Sequence, residues 1–145
     1  MPYSYKYPRP SVTVDCVILS GNGRDSKILL VLRGHEPFQG RWAFPGGYME
    51  VAETLEAAAK RELKEETGVA VKHLEQIRVF DDPHRDPRGR TLSIAFLGFV
   101  DDKTTQVVSG DDATEARWFP LHELPSLAFD HEKILKYVLD NMIMG

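Results

Sequence analysis

The sequence predicts a mixed α/β fold, because segments with the two-residue periodicity of strands flank one segment with the periodicity of a helix. The helical segment lies within residues 46–69 (GGYMEVAETLEAAAKRELKEETGV), and glycines bound it at both ends. The chain has 145 residues, of which 42% are hydrophobic and 28% charged. That length suits one domain with a real core and is too short for two. We therefore predict a single domain over residues 1–145, with an extended arm over residues 1–10.

The first half of the chain contains two strands and the helix. Residues 11–18 alternate between two faces in the manner of a strand, and residues 27–33 (KILLVLR) form a continuous apolar run typical of a strand covered on both faces. The helix is predicted to begin after Thr54, a suitable N-cap, and to end at Gly68, which suits the left-handed C-cap conformation.

The second half is predicted to contain three more strands and a second helix. One strand is expected within residues 69–80, one over residues 91–100 (TLSIAFLGFV) and a short one over residues 115–120 (EARWFP). Asp130 is expected to cap the final helix, whose apolar residues recur at helical spacing as far as Met142.

Charge and composition exclude several functional classes. The formal net charge of −4 argues against sequence-independent binding to nucleic acid, which needs a basic surface. It leaves room for a small phosphorylated ligand, since a bound metal ion inverts the local charge. The single cysteine, Cys16, cannot form an internal disulfide or a zinc cluster and is assigned to the core. We predict a cytoplasmic protein, because there is no signal-peptide pattern and no apolar run near the ~18 residues of a membrane span.

Three carboxylates stand out in the helical segment. Glu62, Glu65 and Glu66 stand at positions i, i+3 and i+4 and therefore share one face of a helix. Like charges at this spacing cost a free helix roughly 0.2–0.5 kcal/mol per pair, and a divalent cation held by carboxylate oxygens would offset that cost. The alternative is a solvated helix in which Lys60, Arg61 and Lys64 form ion pairs with the glutamates.

The same segment fits the spaced pattern G-x5-E-x7-R-E-U-x-E-E-x-G-U, where U is an apolar residue. Its defined positions are occupied by Gly47, Glu53, Arg61, Glu62, Leu63, Glu65, Glu66, Gly68 and Val69. The chain therefore resembles the Nudix hydrolases. This resemblance implies an α/β/α sandwich around a mixed β-sheet, in which the patterned segment forms a loop, a helix and a loop.

The resemblance also implies a site for Mg²⁺, with Mn²⁺ as an alternative ion. Magnesium prefers oxygen ligands and bridges to substrate phosphates. The expected ligands are the backbone carbonyl of Gly46 and the carboxylates of Glu62, Glu65 and Glu66, with Glu53 as a further ligand or as a brace behind the ligands. Arg61, four residues before Glu65, is expected to orient that carboxylate. The expected reaction is attack of water on a phosphorus atom of a diphosphate, assisted by the metal.

The identity of the general base stays open at the level of sequence. Glu62 or Glu65 can polarise the water. Related enzymes often take the base from a separate loop, for which this chain offers Asp111, Asp112 and Glu115. We favour the pair Asp111 and Asp112 as the general base.

The loop over residues 82–90 (DPHRDPRGR) narrows the substrate class. Together with TLSIAF it resembles a segment of Nudix proteins grouped with ADP-ribose pyrophosphatases, including sensor domains of related transcriptional regulators. An arginine fork can grip phosphate through two hydrogen bonds, so Arg85, Arg88 and Arg90 are predicted phosphate contacts. The alternative for Arg85 is a local ion pair with Asp86 that fixes a turn.

Other substrate contacts are predicted less specifically. Arg33, at the end of an apolar strand, is a candidate phosphate contact, although strand-end arginines are often only solvated. An adenine ring requires an aromatic platform. The candidates for it are Phe38, Trp42, Tyr48 and Phe80. His131 follows the cap of the final helix and is interpreted as structural.

The leading hypothesis is Mg²⁺-dependent hydrolysis of a nucleoside diphosphate derivative, most specifically of ADP-ribose to AMP and ribose 5-phosphate. One alternative is a MutT-like nucleoside triphosphate pyrophosphatase of the house-cleaning type. Another is a sensor that binds ADP-ribose without cleaving it, although the complete set of acidic positions favours an enzyme. The expected partner is a small nucleoside diphosphate, with no nucleic acid and no membrane. A homodimer formed by exchange of the N-terminal arm stays open.

Overall fold

The computed structural model describes residues 4–22, 25–110 and 113–143. The elements in chain order are β1 (Ser11–Ser20), β2 (Lys27–Arg33), β3 (Trp42–Ala43), β4 (Gly46–Tyr48), α1 (Leu55–Thr67), β5 (Glu75–Phe80), β6 (Thr91–Phe99), β7 (Ala113–Pro120) and α2 (His131–Val138), which continues into a π-helical turn (Leu139–Ile143). The predicted α/β class is confirmed. The two short strands β3 and β4 were not predicted, and the strand expected within residues 69–80 occupies only the end of that range.

The seven strands of the described residues belong to one mixed sheet with β1 near its centre. The order along the main path is β3-β2-β1-β6-β5, and β7 adds to β2 while β4 adds to β1. The pairing of β1 with β6 is parallel, whereas the other pairings between strands are antiparallel. The two strands at the centre are therefore buried, and β4 brings the glycine pair against β1.

One helix covers each face of the sheet, which confirms the α/β/α sandwich. On the α1 face the core contains Val14, Cys16, Ile18, Leu29, Ala58, Ala59, Leu63 and Phe96. On the α2 face it contains Val17, Leu19, Ile28, Leu30, Ile134, Leu135 and Val138. The alternation along β1 therefore separates two cores rather than a core from solvent. Cys16 lies in the first core, where burial raises the pKa of its thiol.

The start and the end of α2 differ in detail from the sequence expectation. Asp130 occupies the N-cap position, but its carboxylate makes no capping hydrogen bond, because Arg85 binds it instead. The α-helical part ends at Val138, and Met142, in the π-helical turn, is exposed. Residues 4–10 are exposed and form no regular secondary structure. In the described part of the chain, no helix combines the length and the apolar character needed to cross a membrane.

Candidate functional site

Helix α1 directs its acidic face away from the core because small apolar residues fill its other face. Both predicted caps are present: the Ala57 amide donates to Thr54 Oγ1 at 3.1 Å, and Gly68 adopts the left-handed conformation with φ 76°. Ala58, Ala59 and Leu63 are fully buried against the sheet. Since small side chains let the helix lie close to the sheet, its glutamates come within reach of β4.

The pair Gly46–Gly47 is where α1 and β4 meet. The Gly46 amide donates to Glu66 Oε1 at 2.7 Å. A Cβ atom at position 47 would overlap the Glu62 carboxylate, and a Cβ atom at position 46 would overlap the backbone carbonyl of Val14. Both glycines are therefore required for close approach, one of a side chain to the backbone and the other of two strands.

Arg61 gathers the acidic residues on the outer side of this contact. Its Nε and Nη2 atoms donate to the two oxygens of Glu53 at 3.0 and 2.7 Å. Its Nη1 atom lies 3.2 Å from Glu65 Oε2, and Nη2 also donates to the Tyr48 carbonyl. The hydrogen bonds between Arg61 and Glu53 lower the pKa of Glu53 and raise the pKa of Arg61. Arg61 is therefore placed to orient Glu65, and Glu53 braces Arg61.

The main cleft, a depression of about 190 Å³, lies beside the glycine pair. It brings together six of the predicted metal ligands and phosphate contacts, namely Arg33, Gly46, Glu62, Glu66, Arg85 and Arg88. Glu53, Glu65 and Arg61, although described, are not among its lining residues. The predicted site residues therefore divide into a group that lines the cleft and a group that supports it from outside.

The basic part of the main cleft is built on Phe129. The guanidinium carbons of Arg33 and Arg88 lie 4.9 and 5.2 Å from the centre of its ring. Phe129 itself has φ 51°, a conformation that is costly for an aromatic residue. Arg88 is held by Asp86 through bonds of 3.1 and 2.8 Å. These contacts place the two guanidinium groups on the same aromatic ring.

Arg33 has an unused donor. Its Nε atom donates to the Pro37 carbonyl at 2.7 Å, but its buried Nη2 atom has no hydrogen-bond partner in the described part of the chain. Burial, together with the nearby charge of Arg88, lowers the pKa of Arg33. A buried N–H donor without a partner costs about 1–3 kcal/mol, so an anion that accepted this bond would be stabilised here.

Arg85 is placed differently from the sequence expectation. The alternative of a local ion pair between Arg85 and Asp86 is wrong, because Asp86 binds Arg88 instead. Arg85 donates instead to both oxygens of Asp130, at 2.9 and 2.6 Å, and its side chain is 3% exposed. Burial alone would lower the pKa of Arg85, but the bonds to Asp130 outweigh it and leave the pKa raised. Arg90 lies outside the cleft and donates to the Asp81 carbonyl.

A second cleft of about 670 Å³ adjoins the first, and both are lined by Arg85 and Phe129. It contains Phe80 and Phe38, two of the four candidate aromatic platforms. Phe80 also packs edge-on against Tyr137, with ring centres 5.9 Å apart.

The other two aromatic candidates separate from this pair. Tyr48 lines the main cleft. Trp42 packs against Phe119 with ring centres 4.6 Å apart, as part of the core on the α2 face. Trp42 is therefore the weakest of the four candidates.

The candidate general bases are unequally placed. Asp111 and Asp112 lie outside the described residues. Glu115 pairs with Arg117 at 2.9 Å on an exposed stretch of β7. Glu62 lines the main cleft, whereas Glu65 is turned towards Arg61.

The functional part of the sequence analysis missed several residues of the main cleft, among them Phe129, Asp15 and His131. Asp15 is 7% exposed and accepts a hydrogen bond from Ser93. His131 is 3% exposed, and its Nδ1 atom accepts from the Phe44 amide at 3.1 Å. The only signal in the sequence was an aspartate inside an otherwise apolar strand.

The donor chemistry of the site fits Mg²⁺ or Mn²⁺, both of which bind carboxylate and carbonyl oxygens. The cradle at Gly47 admits the Glu62 carboxylate, and Glu66 lies hydrogen-bonded to the same backbone. The described residues contain no ready-made cluster of three His, Cys, Asp or Glu side chains that could hold an ion. Hydrogen bonds from Arg61 and from the Gly46 amide hold Glu65 and Glu66, so these side chains would have to turn towards a common point to ligate one ion.

Comparison with known proteins agrees with this geometry. A NUDIX domain model matches residues 9–141. The ADP-ribose pyrophosphatase of Methanocaldococcus jannaschii is 48% identical over 130 residues, which cover 90% of this chain and 73% of that protein.

Two solved structures are also similar. The NUDIX domain of Shewanella oneidensis NrtR, complexed with ADP-ribose, superposes with a TM-score of 0.86 at 28% identity, covering 97% of this chain and 94% of that one. The bifunctional NMN adenylyltransferase/ADP-ribose pyrophosphatase of Francisella tularensis, complexed with AMP and a Mn ion, gives a TM-score of 0.83 at 32% identity. In that case the match covers 94% of this chain but 43% of the other.

Proposed function

The chain belongs to the Nudix family, and from that premise we propose that it hydrolyses the diphosphate linkage of ADP-ribose with the help of a divalent cation. The products would be AMP and ribose 5-phosphate. The relative from M. jannaschii is named for this activity, and the NrtR domain is complexed with the same nucleotide.

One observation carries the proposal: carboxylates beside the glycine pair and arginines on Phe129 line the same cleft. Glu62 and Glu66 lie beside the glycine pair, while Arg33 and Arg88 pack on Phe129. A diphosphate bound to a metal ion presents negative oxygens to the arginines and a positive charge to the carboxylates, so it matches both groups. The unpartnered Nη2 atom of Arg33 is suited to a phosphate oxygen.

We assign the metal to the Gly46 carbonyl and the carboxylates of Glu62, Glu65 and Glu66, with Arg61 and Glu53 orienting Glu65. When bound there, Mg²⁺ or Mn²⁺ would supply activation of water and neutralisation of charge on the phosphate oxygens. Arg33 and Arg88 then hold the diphosphate by charge-assisted hydrogen bonds. The general base is a carboxylate of the site, with Glu62 or the pair Asp111–Asp112 as the candidates.

The second cleft supports a substrate with two ends. Because it shares Arg85 and Phe129 with the main cleft, a ligand whose phosphates occupy the main cleft can extend past these residues. Phe38 and Phe80 there offer rings for an adenine base. Arg85 donates to Asp130 through two nitrogens. Its main role is therefore to hold the wall between the two clefts in place, and contact with the substrate is a secondary role.

An ADP-ribose sensor is the second candidate, and the NrtR complex favours it because that domain binds the same nucleotide on the same fold. A hydrolase and a sensor would both bind ADP-ribose, but only the hydrolase would cleave it.

A substrate panel tests the proposal. ADP-ribose, NADH, a diadenosine polyphosphate and 8-oxo-dGTP are incubated with Mg²⁺ or Mn²⁺, and the nucleotide and phosphate products are identified. We expect AMP and ribose 5-phosphate from ADP-ribose. Release of diphosphate from the triphosphate would instead establish the MutT-like alternative, and saturable ADP-ribose binding without turnover would establish the sensor.

Variants of α1 provide the control. Glu66→Gln should reduce turnover by more than the ~10–100-fold that loss of an outer-shell partner costs, because it removes a proposed metal ligand. Glu56→Gln, on the same helix but paired with Lys60 at 3.1 Å, should leave turnover unchanged. Equal activity of both variants would refute the assignment of the acidic face.

A further inference from the structure

His131 stands at the start of α2 and reaches the backbone that leads into the glycine pair. We propose that His131 is a positioning residue, which fixes the Phe44–Gly46 backbone and thereby the place of the Gly46 carbonyl. The inference rests on the proposed function in one respect, since it takes that carbonyl as a metal ligand.

A hydrogen bond and a stacking contact hold the His131 ring in one orientation. Its Nδ1 atom accepts a hydrogen bond from the Phe44 amide at 3.1 Å, and its ring stacks on the Phe44 ring at 4.5 Å with an angle of 12° between the planes. An imidazole nitrogen that accepts carries no proton, so in the neutral ring the proton is on Nε2. Nε2 lies 3.5 Å from Asp15 Oδ1. The ring is therefore oriented from both sides.

Asp15 connects the histidine to the glycine pair a second time. Its other oxygen accepts from the Ser93 hydroxyl, which fixes the carboxylate on the cleft floor. Asp15 is the residue opposite Gly46 in the β1–β4 register, and a Cβ atom at position 46 would lie 2.9 Å from Oδ1. One carboxylate thus contacts the imidazole and bounds the space at Gly46.

The backbone between Phe44 and Gly46 is held by three different elements in succession. The Phe44 amide donates to α2 through His131, the Pro45 carbonyl accepts from Cys16 of β1 at 2.8 Å, and the Gly46 amide donates to Glu66 of α1 at 2.7 Å. Proline has no N–H, so the Phe44 amide is the last donor before Gly46 that can anchor this segment. Without His131 as acceptor for the Phe44 amide, this segment could shift. A carbonyl that binds a metal must be placed to within about 0.5 Å, so such a shift would weaken metal binding.

Three variants separate the hydrogen bond from simple packing. His131→Phe keeps a ring for stacking and removes the acceptor. Phe44→Leu removes the stacking and keeps the backbone donor. His131→Gln offers a carbonyl oxygen in place of the imidazole nitrogen. The measured quantity is Mn²⁺ affinity in the absence of substrate, from calorimetry or electron paramagnetic resonance, on variants shown to be folded by circular dichroism.

We expect His131→Phe to weaken Mn²⁺ binding about 10–100-fold, the range seen when an outer-shell partner of a metal site is removed. Phe44→Leu should stay close to the wild-type affinity, and His131→Gln should recover part of the loss. Equal weakening in His131→Phe and Phe44→Leu, or wild-type affinity in His131→Phe, would overturn the proposal.

Two measurements on the wild-type protein keep the inference falsifiable if His131→Phe does not fold. The ¹⁵N chemical shifts of the His131 ring should show the proton on Nε2, and the Phe44 amide should exchange slowly with deuterium. A proton on Nδ1, or fast exchange at Phe44, would refute the arrangement. Neither measurement uses substrate, so a failure to cleave ADP-ribose would count against the proposed function and leave this inference standing.

Discussion

Replacing Gly47 with alanine isolates the contact between the glycine pair and the acidic face of α1. Gly47 does not have a left-handed backbone conformation, so alanine fits its backbone. The added Cβ atom falls well inside 3.0 Å of Glu62 Oε2, a separation that real Cβ atoms essentially never show. The atom that must give way is the end of a flexible side chain, not backbone. The substitution therefore moves one carboxylate and spares the fold.

The expected changes in the rate of hydrolysis and in stability both follow from this contact. The Glu62 carboxylate must retreat by about 1 Å or more, and a misplacement of that size can cost ~10²-fold in rate. The altered rotamer of Glu62 costs about 0.5–1.5 kcal/mol. In the opposite direction, replacing Gly by Ala lowers the conformational entropy of the unfolded chain and so stabilises the folded state by about 0.4–1 kcal/mol. The free energy of unfolding should thus stay within about 1 kcal/mol of wild type, which for a chain of this length is a shift in Tm of up to about 4 °C.

The assay is ADP-ribose hydrolysis with saturating Mg²⁺, together with thermal unfolding of the same samples. Gly46→Ala is the contrasting variant, because its Cβ atom would overlap the Val14 carbonyl, which is backbone and cannot turn away. That variant should lose about 1–3 kcal/mol of stability, the usual cost of overpacking. In a Glu62→Gln background, Gly47→Ala should add little further loss of rate, since both changes act on one carboxylate. Wild-type activity in Gly47→Ala, or a loss of stability as large as that of Gly46→Ala, would refute this account of the glycine pair.

Three further predictions concern the arginine side of the cleft. Arg85→Ala should lower the free energy of unfolding in urea by about 3 kcal/mol, since it leaves the Asp130 carboxylate without its partner in a buried pair; a loss below about 1 kcal/mol would contradict this. Bonds from Arg88 hold the pKa of Asp86 below its usual value despite burial, which opposes them, so Asp86 stabilises the fold above the unfolded-state pKa of about 3.9 and loses that effect as the pH falls through the lower folded-state pKa. Asp86→Asn should therefore flatten the acid limb of a stability–pH curve, and an unchanged limb would show that other groups control it. Arg33→Gln should raise KM for ADP-ribose about tenfold, as expected for loss of a charge-assisted bond of about 1.5 kcal/mol. Tm should change little, because loss of the bond to the Pro37 carbonyl is offset by removal of an unpartnered buried donor; an unchanged KM would exclude Arg33 from substrate binding.

The features that the sequence predicted well are those encoded by neighbouring residues. The caps at Thr54 and Gly68, the acidic face of α1 and the small residues beneath it all depend on spacings of a few positions. The apolar patterns of β1, β2 and β6 likewise indicated which segments form buried strands. Together with the helix, those strands predicted the α/β class. Helix capping, helical periodicity and strand alternation act within one element, so a single sequence contains the information needed to infer them.

The choice of partners between elements was decided by the tertiary structure. Arg85 binds Asp130, 45 positions away, and not its neighbour Asp86, because packing of α2 on the sheet brings that carboxylate beside the loop. The same packing places His131 between Phe44 and Asp15, which no local pattern could indicate. Charged and polar groups pair with whatever the fold buries next to them, and burial raises the cost of leaving them unpaired. The sequence by itself determined which helix bears the acidic face; only the assembled sheet and helices decided which residues surround it and hold it in place.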